Sequence, residues 1–587
     1  SPHSIRRTGG SDTYKLRHCG CTGVVSLAML RLLLFVRTLG YLRPTQVLAQ
    51  ILKRALPSPV PAPHNHELRL RAGTGLNPCL PPSCRSGRDH SFCFLNQEKF
   101  FPGGGIDWVS KEMPKLWRYN LHYFDYLFDA GRSYDEKLHL ISDWIAENPP
   151  GVGDGWEPYT LSLRIVNWIK LFLEHEKAVQ ESWLQSLYTQ AQWLEQNIEY
   201  HILANHYLKN GVALFFAGMY FEGVDADRWM EKGLKILSEE QGEQFLPDGG
   251  HYERSPMYHS ICVRDYLDVL NLAQSSPAAI SIEETARFRR TITAGLNFLH
   301  AICLPDKEIP LFNDSAFGIA PTPPQVFDYA GRVMGYESPV RPAGLVVSEQ
   351  SGSGYYVCRD GEDMIVIDCG AIGPDYQPGH AHCDTLSYEL ALNGRRVIVD
   401  SGVFNYEPGQ ERAYARSTGA HNTVVVDGEE QSEIWGVFRV ARRAKPLRAF
   451  FEQQADGSVM FEGAHDGYAR LAGKPIHKRH MSYDGQGSWV ITDMLEGRGT
   501  HRMESYIHIH PNFQVARSGA SMRVIEPSGS TIATIEALGP SEIRMEQGWY
   551  FPEFGLKLKN PVIVFTCSKD IPLNLSYRIQ KAARRSE

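Results

Sequence analysis

The chain lacks a long hydrophobic run, an excess of one charge and a metal-binding cysteine pattern. Its 60 basic and 67 acidic residues leave a net charge of −7, which excludes a global basic field for nucleic acid. The most apolar stretch runs from Val24 to Val36, but it is interrupted by Arg31 and is too short to cross a bilayer. The sequence therefore predicts neither a nucleic-acid-binding protein nor a transmembrane segment.

Several common catalytic motifs are also missing. The eleven cysteines include no Cys-x-x-Cys pair, and the sequence contains no Gly-x-Ser-x-Gly elbow, phosphate-binding loop or His-Glu-x-x-His helix. These absences argue against the easiest hydrolase, nucleotide-binding and metalloprotease interpretations. A glycosidase with two carboxylates stays open, because the sequence does not fix the distances among the available acids, namely Glu157, Asp248, Glu253, Asp314 and Asp384.

With 587 residues, the chain is long enough for two or three domains. Residues 1–94 are predicted to form an N-terminal arm, with a short helix over about 38–56 and a stiff proline-rich linker over 57–63. Residues 95–345 are predicted to be helical, and residues 346–587 to form strands. This organisation indicates a multidomain protein with separate α and β parts.

The predicted change from helix to strand rests on hydrophobic periodicity. Leu161, Ile165 and Trp168 illustrate the helical spacing of the first part, which favours helix pairs packed as a bundle or toroid. From about Ser351, short β-branched runs such as 423–427 alternate with Gly, Asn and Asp turns. This second pattern is typical of an antiparallel sandwich.

Histidines and carboxylates are concentrated in the strand-rich part. In residues 379–384, His380 and His382 form a His-x-His pair, whose two rings project from the same face of a strand. His382, Asp400 and His421 would together offer a nitrogen and oxygen donor set suited to zinc. Two half-exposed histidines on a polar sheet face would produce the same spacing, so the pattern alone leaves both interpretations open.

The helical part contains two further candidate segments. Asn205-His206 precedes an apolar helical stretch. At the positive end of that helix, the amide and imidazole donors would hold a carboxylate. The alternative is a simple Asn cap beside a surface His. A Gly-rich turn then leads into His251, Tyr252 and Tyr258. Tyr258 is the preferred proton carrier and Tyr252 the second choice, and both Tyr252 and His251 are candidate substrate contacts.

Arg412 and Arg416 are candidate ligands for an anionic sugar, because guanidinium groups form forked hydrogen bonds to carboxylates. An aromatic content of 11% suits a cleft that stacks on sugar rings. A solvated loop would account for the same arginine pair. The sequence thus favours a locally recognised anionic carbohydrate.

Together, these segments give the chain a resemblance to the heparinase II/III-like polysaccharide lyases over roughly residues 95–540. The resemblance is carried by residues 116–124, Asn205-His206, Tyr258, Gly379-His380-Ala381-His382, Asp400-Ser401-Gly402 and Ala420-His421-Asn422-Thr423. It implies an incomplete (α/α) toroid followed by an antiparallel β-sandwich. It also implies cleavage of a uronic-acid-containing polysaccharide by β-elimination.

The resemblance assigns roles to individual residues. Asn205, His206 and His380 would neutralise and orient the uronate carboxylate, while Tyr258 would protonate the departing O4. Either Tyr258 or His380 would take the C5 proton, depending on the substrate epimer. A mainly structural Zn²⁺ would be bound by the residues singled out above, His382, Asp400 and His421.

Two other functions stay open: a glycoside hydrolase on a similar toroid, and a non-catalytic glycan-binding protein of a surface-polysaccharide pathway. Residues 41–47 resemble the leader of a subgroup associated with such pathways, so an exopolysaccharide or alginate-like polymer is as compatible as heparin. A polymer substrate favours a periplasmic or cell-envelope location, with the cytoplasm as the alternative because no cleavage signal is evident. The sequence leaves the oligomeric state open.

Overall fold

The computed structural model describes residues 13–18, 21–56, 58–61, 67–81, 90–103, 105–276 and 280–583. The N-terminal arm contains β1 (Thr13–His18), β2 (Cys21–Ser26), α1 (Leu27–Leu39) and α2 (Pro44–Ala55). The predicted helix over 38–56 thus corresponds to the end of α1 and the whole of α2. Within the proline-rich stretch, residues 58–61 are irregular, while Pro57, Ala62 and Pro63 lie outside the described residues.

A hairpin, β3 (Ser91–Phe94) and β4 (Gln97–Phe100), leads into the helical domain. The helices of this domain are α3 (Lys115–Tyr123), α4 (Tyr134–Glu147), α5 (Pro158–Glu174), α6 (Glu181–Gln196), α7 (Ala204–Tyr220), α8 (Val224–Gln244), α9 (Pro256–Gln274), α10 (Ile282–Ile302) and α11 (Pro323–Met334). Helices α7 and α9 are buried at nearly every position, although both carry polar and charged residues, so they are the inner helices of the domain.

Close packing of α7 against α8 fixes the inner helix. Gly218 lies so near α8 that an added Cβ would collide with the backbone of Met230, and Gly233 makes the reciprocal approach to Phe215. A side chain at either glycine would force the two helices apart. Because Asn205 and His206 lie in the first turn of α7, this contact helps to fix their positions.

The C-terminal domain is built from antiparallel sheets. Its elements are β5 (Leu345–Gln350), β6 (Tyr355–Asp360), β7 (Asp363–Asp368), β8 (Tyr388–Leu392), β9 (Arg395–Ile398), α12 (Gln410–Arg416), β10 (Val424–Val426), β11 (Ile434–Trp435), β12 (Arg439–Val440), β13 (Phe450–Gln453), β14 (Val459–His465), β15 (Ile476–Tyr483), β16 (Ser488–Glu496), β17 (Thr500–His508), β18 (Gln514–Ser518), β19 (Ser521–Ile525), β20 (Thr531–Ala537), β21 (Glu542–Tyr550), β22 (Leu558–Asp570) and β23 (Leu573–Lys581).

These strands form a five-stranded sheet (β5 to β9 in order), a four-stranded sheet (β10-β17-β22-β21) and an eight-stranded sheet (β13-β14-β15-β16-β23-β20-β19-β18). Their inner faces share one apolar core, to which Ile367, Ile491 and Phe565 contribute fully buried side chains. The predicted helical toroid followed by an antiparallel sandwich is therefore confirmed.

A loop between α10 and α11 joins the two domains. The backbone N–H of Asp314 donates to the carbonyl of His380 over 3.0 Å, and the side chain of Asn313 accepts from the N–H of His382 over 2.9 Å. Phe298 and Phe312 of the helical domain also pack on Tyr355 of β6. The predicted histidine segment thus lies at the domain junction. Among the described residues, no helix is long and apolar enough to cross a membrane.

Candidate active site

A cleft of about 480 Å³ lies between the helical and strand-rich domains. Helix α7 contributes Asn205 and His206, helix α9 contributes Tyr258, and the sandwich contributes His380 and Tyr406. Much of the remaining wall is aromatic and comprises Tyr119, Tyr123, Tyr159, Phe438 and Phe554. The structure therefore brings all four predicted catalytic residues into one cavity whose walls suit sugar rings.

Tyr258 is held at the start of α9. Ser255 caps the helix by accepting from the backbone N–H of Tyr258 over 3.3 Å, and Pro256 occupies the first helical turn. The Tyr258 hydroxyl lies 3.2 Å from that of Tyr406, and its ring packs 4.0 Å from the His380 ring, centroid to centroid. Burial, and then the neighbouring Tyr406, raises the pKa of Tyr258 well above its ordinary value. A neutral phenol of this kind is suited to donate a proton.

His380 lies between two carboxylates. Its Nδ1 is 3.0 Å from Oδ2 of Asp314, and its Nε2 is 3.5 Å from Oε2 of Glu253. Asp314 also accepts from both N–H groups at the end of the Arg412 side chain. Burial favours the neutral acid, yet Arg412 and the adjacent histidine rings hold the pKa of Asp314 well below its ordinary value. Asp314 is therefore an ionised anchor that orients the His380 ring.

Asn205 and His206 follow a tight turn in which Leu203 and Ala204 both have positive φ angles, 64° and 54°. The backbone N–H and the side-chain amide of Asn205 both donate to Oε1 of Glu253, over 3.2 and 3.0 Å. Glu253 thereby connects Asn205 to His380 across the cleft.

The second donor from α7, His206, pairs with an acid of its own. Its Nδ1 lies 3.0 Å from Oε1 of Glu199, and its ring packs on that of Tyr159 with centroids 4.4 Å apart. Burial alone would lower the pKa of His206, but the Glu199 carboxylate raises it above the ordinary value. The imidazolium form is therefore favoured at the wall of the cleft, where it offers a positive charge to an anionic ligand.

Beneath the cleft, three buried side chains converge in a cluster suited to a cation. One donor atom from each of His382, Asp384 and His421 lies within 4.8 Å of the others. Nδ1 of His382 and Nε2 of His421 are buried without a hydrogen-bond partner. The opposite ring nitrogens are each 2.8 Å from a carboxylate, that of Asp314 and that of Asp400 respectively. A carboxylate behind each histidine is the arrangement that orients metal-binding imidazoles.

The acid in this cation cluster differs from the predicted one. Asp400 lies behind His421 as its hydrogen-bond partner, whereas Asp384 faces the two free ring nitrogens. Burial lowers the pKa of His382 to about 4, which keeps the ring in the neutral form that binds metals. The donor set of His382, Asp384 and His421 therefore fits zinc.

Four residues predicted to contact substrate are placed away from the cleft walls. His251 is buried and its Nε2 lies 2.8 Å from Oε1 of Gln244, while the Tyr252 hydroxyl lies 3.0 Å from the Tyr376 hydroxyl within the protein. Arg412 is occupied by Asp314, as described above. Arg416 donates to backbone carbonyls, including that of Ala381 at 3.0 Å. None of the four side chains lines the cleft. Tyr252 and Arg412 make contacts between the two domains, whereas His251 and Arg416 make theirs within one domain.

Sequence reasoning did not assign roles to three residues that shape the site. The sequence offers Glu253 and Asp314 only as acids available to a glycosidase, and it gives Tyr406 no role. Residues 379–384, predicted to place His380 and His382 on one face of a strand, instead form a turn and an irregular segment between β7 and β8, so spacing alone could not identify Asp384. The contacts of Asp314 join residues 66 to 98 positions apart, which local spacing does not reveal.

A helical toroid and a β-sandwich that share a cleft lined by tyrosine, histidine and asparagine define a class of polysaccharide lyases. Comparison with known proteins identifies the family. Residues 85–322 match the sequence model described as "Heparinase II/III N-terminus", and residues 347–580 match "Heparinase II/III-like, C-terminal". The chain belongs to the heparinase II/III-like family, and it is a carbon–oxygen lyase that acts on polysaccharides.

Characterised relatives and a solved structure agree with this assignment. The heparin-sulfate lyase of Pedobacter heparinus is 26% identical over 466 residues, which cover 73% of this chain and 67% of the relative. That of Bacteroides stercoris is 23% identical over 547 residues, covering 81% and 76%. A crystal structure of heparinase III has the same fold, with a TM-score of 0.67, 17% identity and 93% of each chain covered.

Proposed function

We propose that this lyase cleaves a uronic-acid-containing anionic polysaccharide by β-elimination in the interdomain cleft. The observation that carries the proposal is the Tyr258 side chain, which lines the cleft beside His380, with Asn205 and His206 lining the same cavity. In the reaction, the C5 proton is removed, a C4–C5 double bond forms and the C4–O4 bond breaks. Tyr258 supplies the proton that O4 needs to leave, a role open to it because the raised pKa keeps the phenol protonated before the reaction.

The carboxylate of the uronate requires neutralisation before C5 can lose its proton. His206 is a candidate cation for this role, because its raised pKa favours the charged form and its side chain is about 30% exposed at the cleft. Asn205 adds a polar group one residue away. Fixed donors of this kind stabilise the negative charge that develops on the carboxylate in the transition state.

Two groups are placed to accept the C5 proton. One is the oxygen of Tyr258, which takes the C5 proton as its own proton passes to O4, and the other is Nε2 of His380, whose ring is oriented through Nδ1 by Asp314. The stereochemistry of the uronate decides between them, because the two acceptors belong to different residues around the same cavity. The relatives named as heparin-sulfate lyases support a uronate polymer as the substrate class.

We further propose that His382, Asp384 and His421 bind a structural Zn²⁺. Support comes from the two buried ring nitrogens without partners and from the carboxylates behind both histidines. When bound, zinc would fix together the segments that carry these residues, close to His380. Thorough chelation should lower the melting temperature, and zinc should restore it. An unchanged melting curve together with a metal content near zero would refute the zinc site.

The test of the reaction is ultraviolet absorbance of the unsaturated uronate end, measured with the parent and Tyr258→Phe on a panel of uronate polymers. We expect the parent to generate the signal and the variant to lose at least about 100-fold in kcat, since general acid catalysis contributes that much. Tyr134→Phe is a matched control, because that tyrosine lies outside the cleft. New reducing ends without unsaturation would instead indicate a glycoside hydrolase, and binding without any cleavage would indicate a glycan-binding protein.

A further inference from the structure

The N-terminal arm presents an apolar surface to solvent. On α2, Val47, Leu48, Ile51 and Leu52 are all exposed, and their spacing places them on one face of the helix. The opposite, polar face is the one that contacts the rest of the protein. Helix α2 is therefore oriented with its apolar face outward, the reverse of the usual arrangement on a globular domain.

Specific polar contacts fix this reversed orientation. Gln46 is buried, and its side-chain amide donates to the carbonyls of Ile202 and Tyr376 over 3.3 and 3.4 Å. Lys53 donates to Nε2 of His201 over 3.1 Å. Burial and the Lys53 charge lower the pKa of His201 to about 4, so the ring is neutral and can accept this hydrogen bond. Because both domains supply partners, the arm is held in place without using its apolar face.

Helix α1 repeats the arrangement. Its Arg37 forms an ion pair with Glu433 over 2.9 Å, and Thr38 accepts from the indole N–H of Trp435 over 3.0 Å. The outward apolar residues of α1 and α2 and the residue after α2 form what we call the arm apolar surface: Leu32, Leu33, Phe35, Val36, Leu39, Val47, Leu48, Ile51, Leu52 and Leu56. Among the described side chains, these are ten of the 26 large hydrophobic residues that are exposed. Such concentration within residues 32–56 marks an interaction site rather than ordinary scatter.

Charge indicates which partner this surface meets. Residues 13–66 contain no Asp or Glu, and their seven basic residues are Lys15, Arg17, Arg31, Arg37, Arg43, Lys53 and Arg54. The rest of the chain contains 53 basic and all 67 acidic residues, so a segment of +7 is attached to a body of −14. Arg37 and Arg43 form ion pairs with Glu433 and Glu243 of the body, whereas Arg31 and Arg54 are exposed on the helices that carry the apolar residues. An apolar face accompanied by exposed basic residues is complementary to anionic lipid headgroups above an acyl layer.

We propose that the arm docks the protein on an anionic lipid surface, with the arm apolar surface inserted at the boundary between headgroups and acyl chains. The 13 residues of α1 extend about 20 Å, which is too short to cross the roughly 30 Å core of a bilayer. The helix is therefore expected to lie in the plane of the surface. Gln46 contacts Ile202, which lines the cleft. Docking therefore holds the cleft next to the lipid.

The experiment is vesicle flotation with the full chain, using vesicles of phosphatidylcholine alone and vesicles that also contain phosphatidylglycerol. The parent should bind the mixed vesicles, and high salt should weaken binding. The triple variant Leu48→Gln, Ile51→Gln, Leu52→Gln should bind roughly 100-fold more weakly, because three apolar side chains are lost from the interface. Arg54→Gln should weaken binding to the anionic vesicles by about fivefold.

A matched triple variant, Val224→Gln, Ile282→Gln, Val340→Gln, changes equally apolar residues that are exposed outside the arm, and it should bind as the parent does. Absence of parent binding to anionic vesicles overturns the proposal, and so does a triple arm variant that binds normally. Self-association that the arm variant abolishes, without any vesicle binding, would assign the surface to a second copy of the chain. Cleavage of soluble polymer should be equal in all variants, so the outcome is independent of the proposed reaction.

Discussion

Replacing Arg412 with methionine would leave a buried carboxylate without its principal counter-charge. The side chains of Arg412 and Asp314 are 2% and 0% exposed, and Nη2 of the arginine donates to Oδ2 of the acid over 2.9 Å. Removing one partner of a buried pair costs about 3–5 kcal/mol, because the remaining charge stays desolvated. For a domain of this size, the expected fall in melting temperature is about 6–20 °C.

Calorimetry should resolve this loss if the transitions of the two domains are analysed separately, since a two-domain chain does not unfold in one step. The control is Arg332→Met, which removes an exposed pair with Asp328 at 3.2 Å and should cost no more than about 1 kcal/mol. Adding Asp314→Asn to Arg412→Met should recover part of the loss, because the unpaired charge disappears. Equal, small shifts for both single variants would refute the reasoning.

Two further predictions concern the walls of the cleft. Glu253→Ala removes the carboxylate that accepts two hydrogen bonds from Asn205. Steady-state kinetics should show kcat lowered about 10–100-fold with a smaller change in KM. A change confined to KM would contradict a positioning role for Glu253. Because the pKa of His206 is raised in the folded protein, the Glu199 pair stabilises the fold fully below the ordinary pKa of histidine, and this stability is lost as pH rises through the folded value. The His206→Gln variant should therefore lose the parent's decline in melting temperature over the pH range between the ordinary and the raised pKa of histidine, and an identical pH profile would contradict the assignment.

Hydrophobic periodicity was sufficient to predict the order of the two domains. Helical spacing around Trp168 and β-branched runs around Val425 are local signals, and each survives in the packed structure. The resemblance to the family also pointed to four of the residues that line the cleft, namely Asn205, His206, Tyr258 and His380. The sequence does not predict which way an amphipathic helix faces. The pattern in α2 defines an apolar face, but only the polar contacts of Gln46 in the structure show that this face points outward.

The contacts that complete the site depend on pairs far apart in the chain, and sequence spacing does not predict them. The sequence suggests Arg412 and Arg416 as sugar ligands because guanidinium groups form forked hydrogen bonds to carboxylates. Burial instead makes each guanidinium satisfy internal acceptors, Asp314 in the first case and backbone carbonyls in the second. Asp400 and Asp384 were equally acceptable by residue type, and only the position of the unpartnered His421 nitrogen distinguishes them.

Asp314 connects the reaction cleft to the cation cluster. Its Oδ2 lies 3.0 Å from Nδ1 of His380, its Oδ1 lies 2.8 Å from Nε2 of His382, and Arg412 donates to both oxygens. One ionised carboxylate therefore sets the orientation of a ring at the cleft and of a ring in the cluster below it. Substitutions at these positions share a partner, so their effects on activity and stability should not add, and a loss of the cluster should also displace the histidine at the cleft.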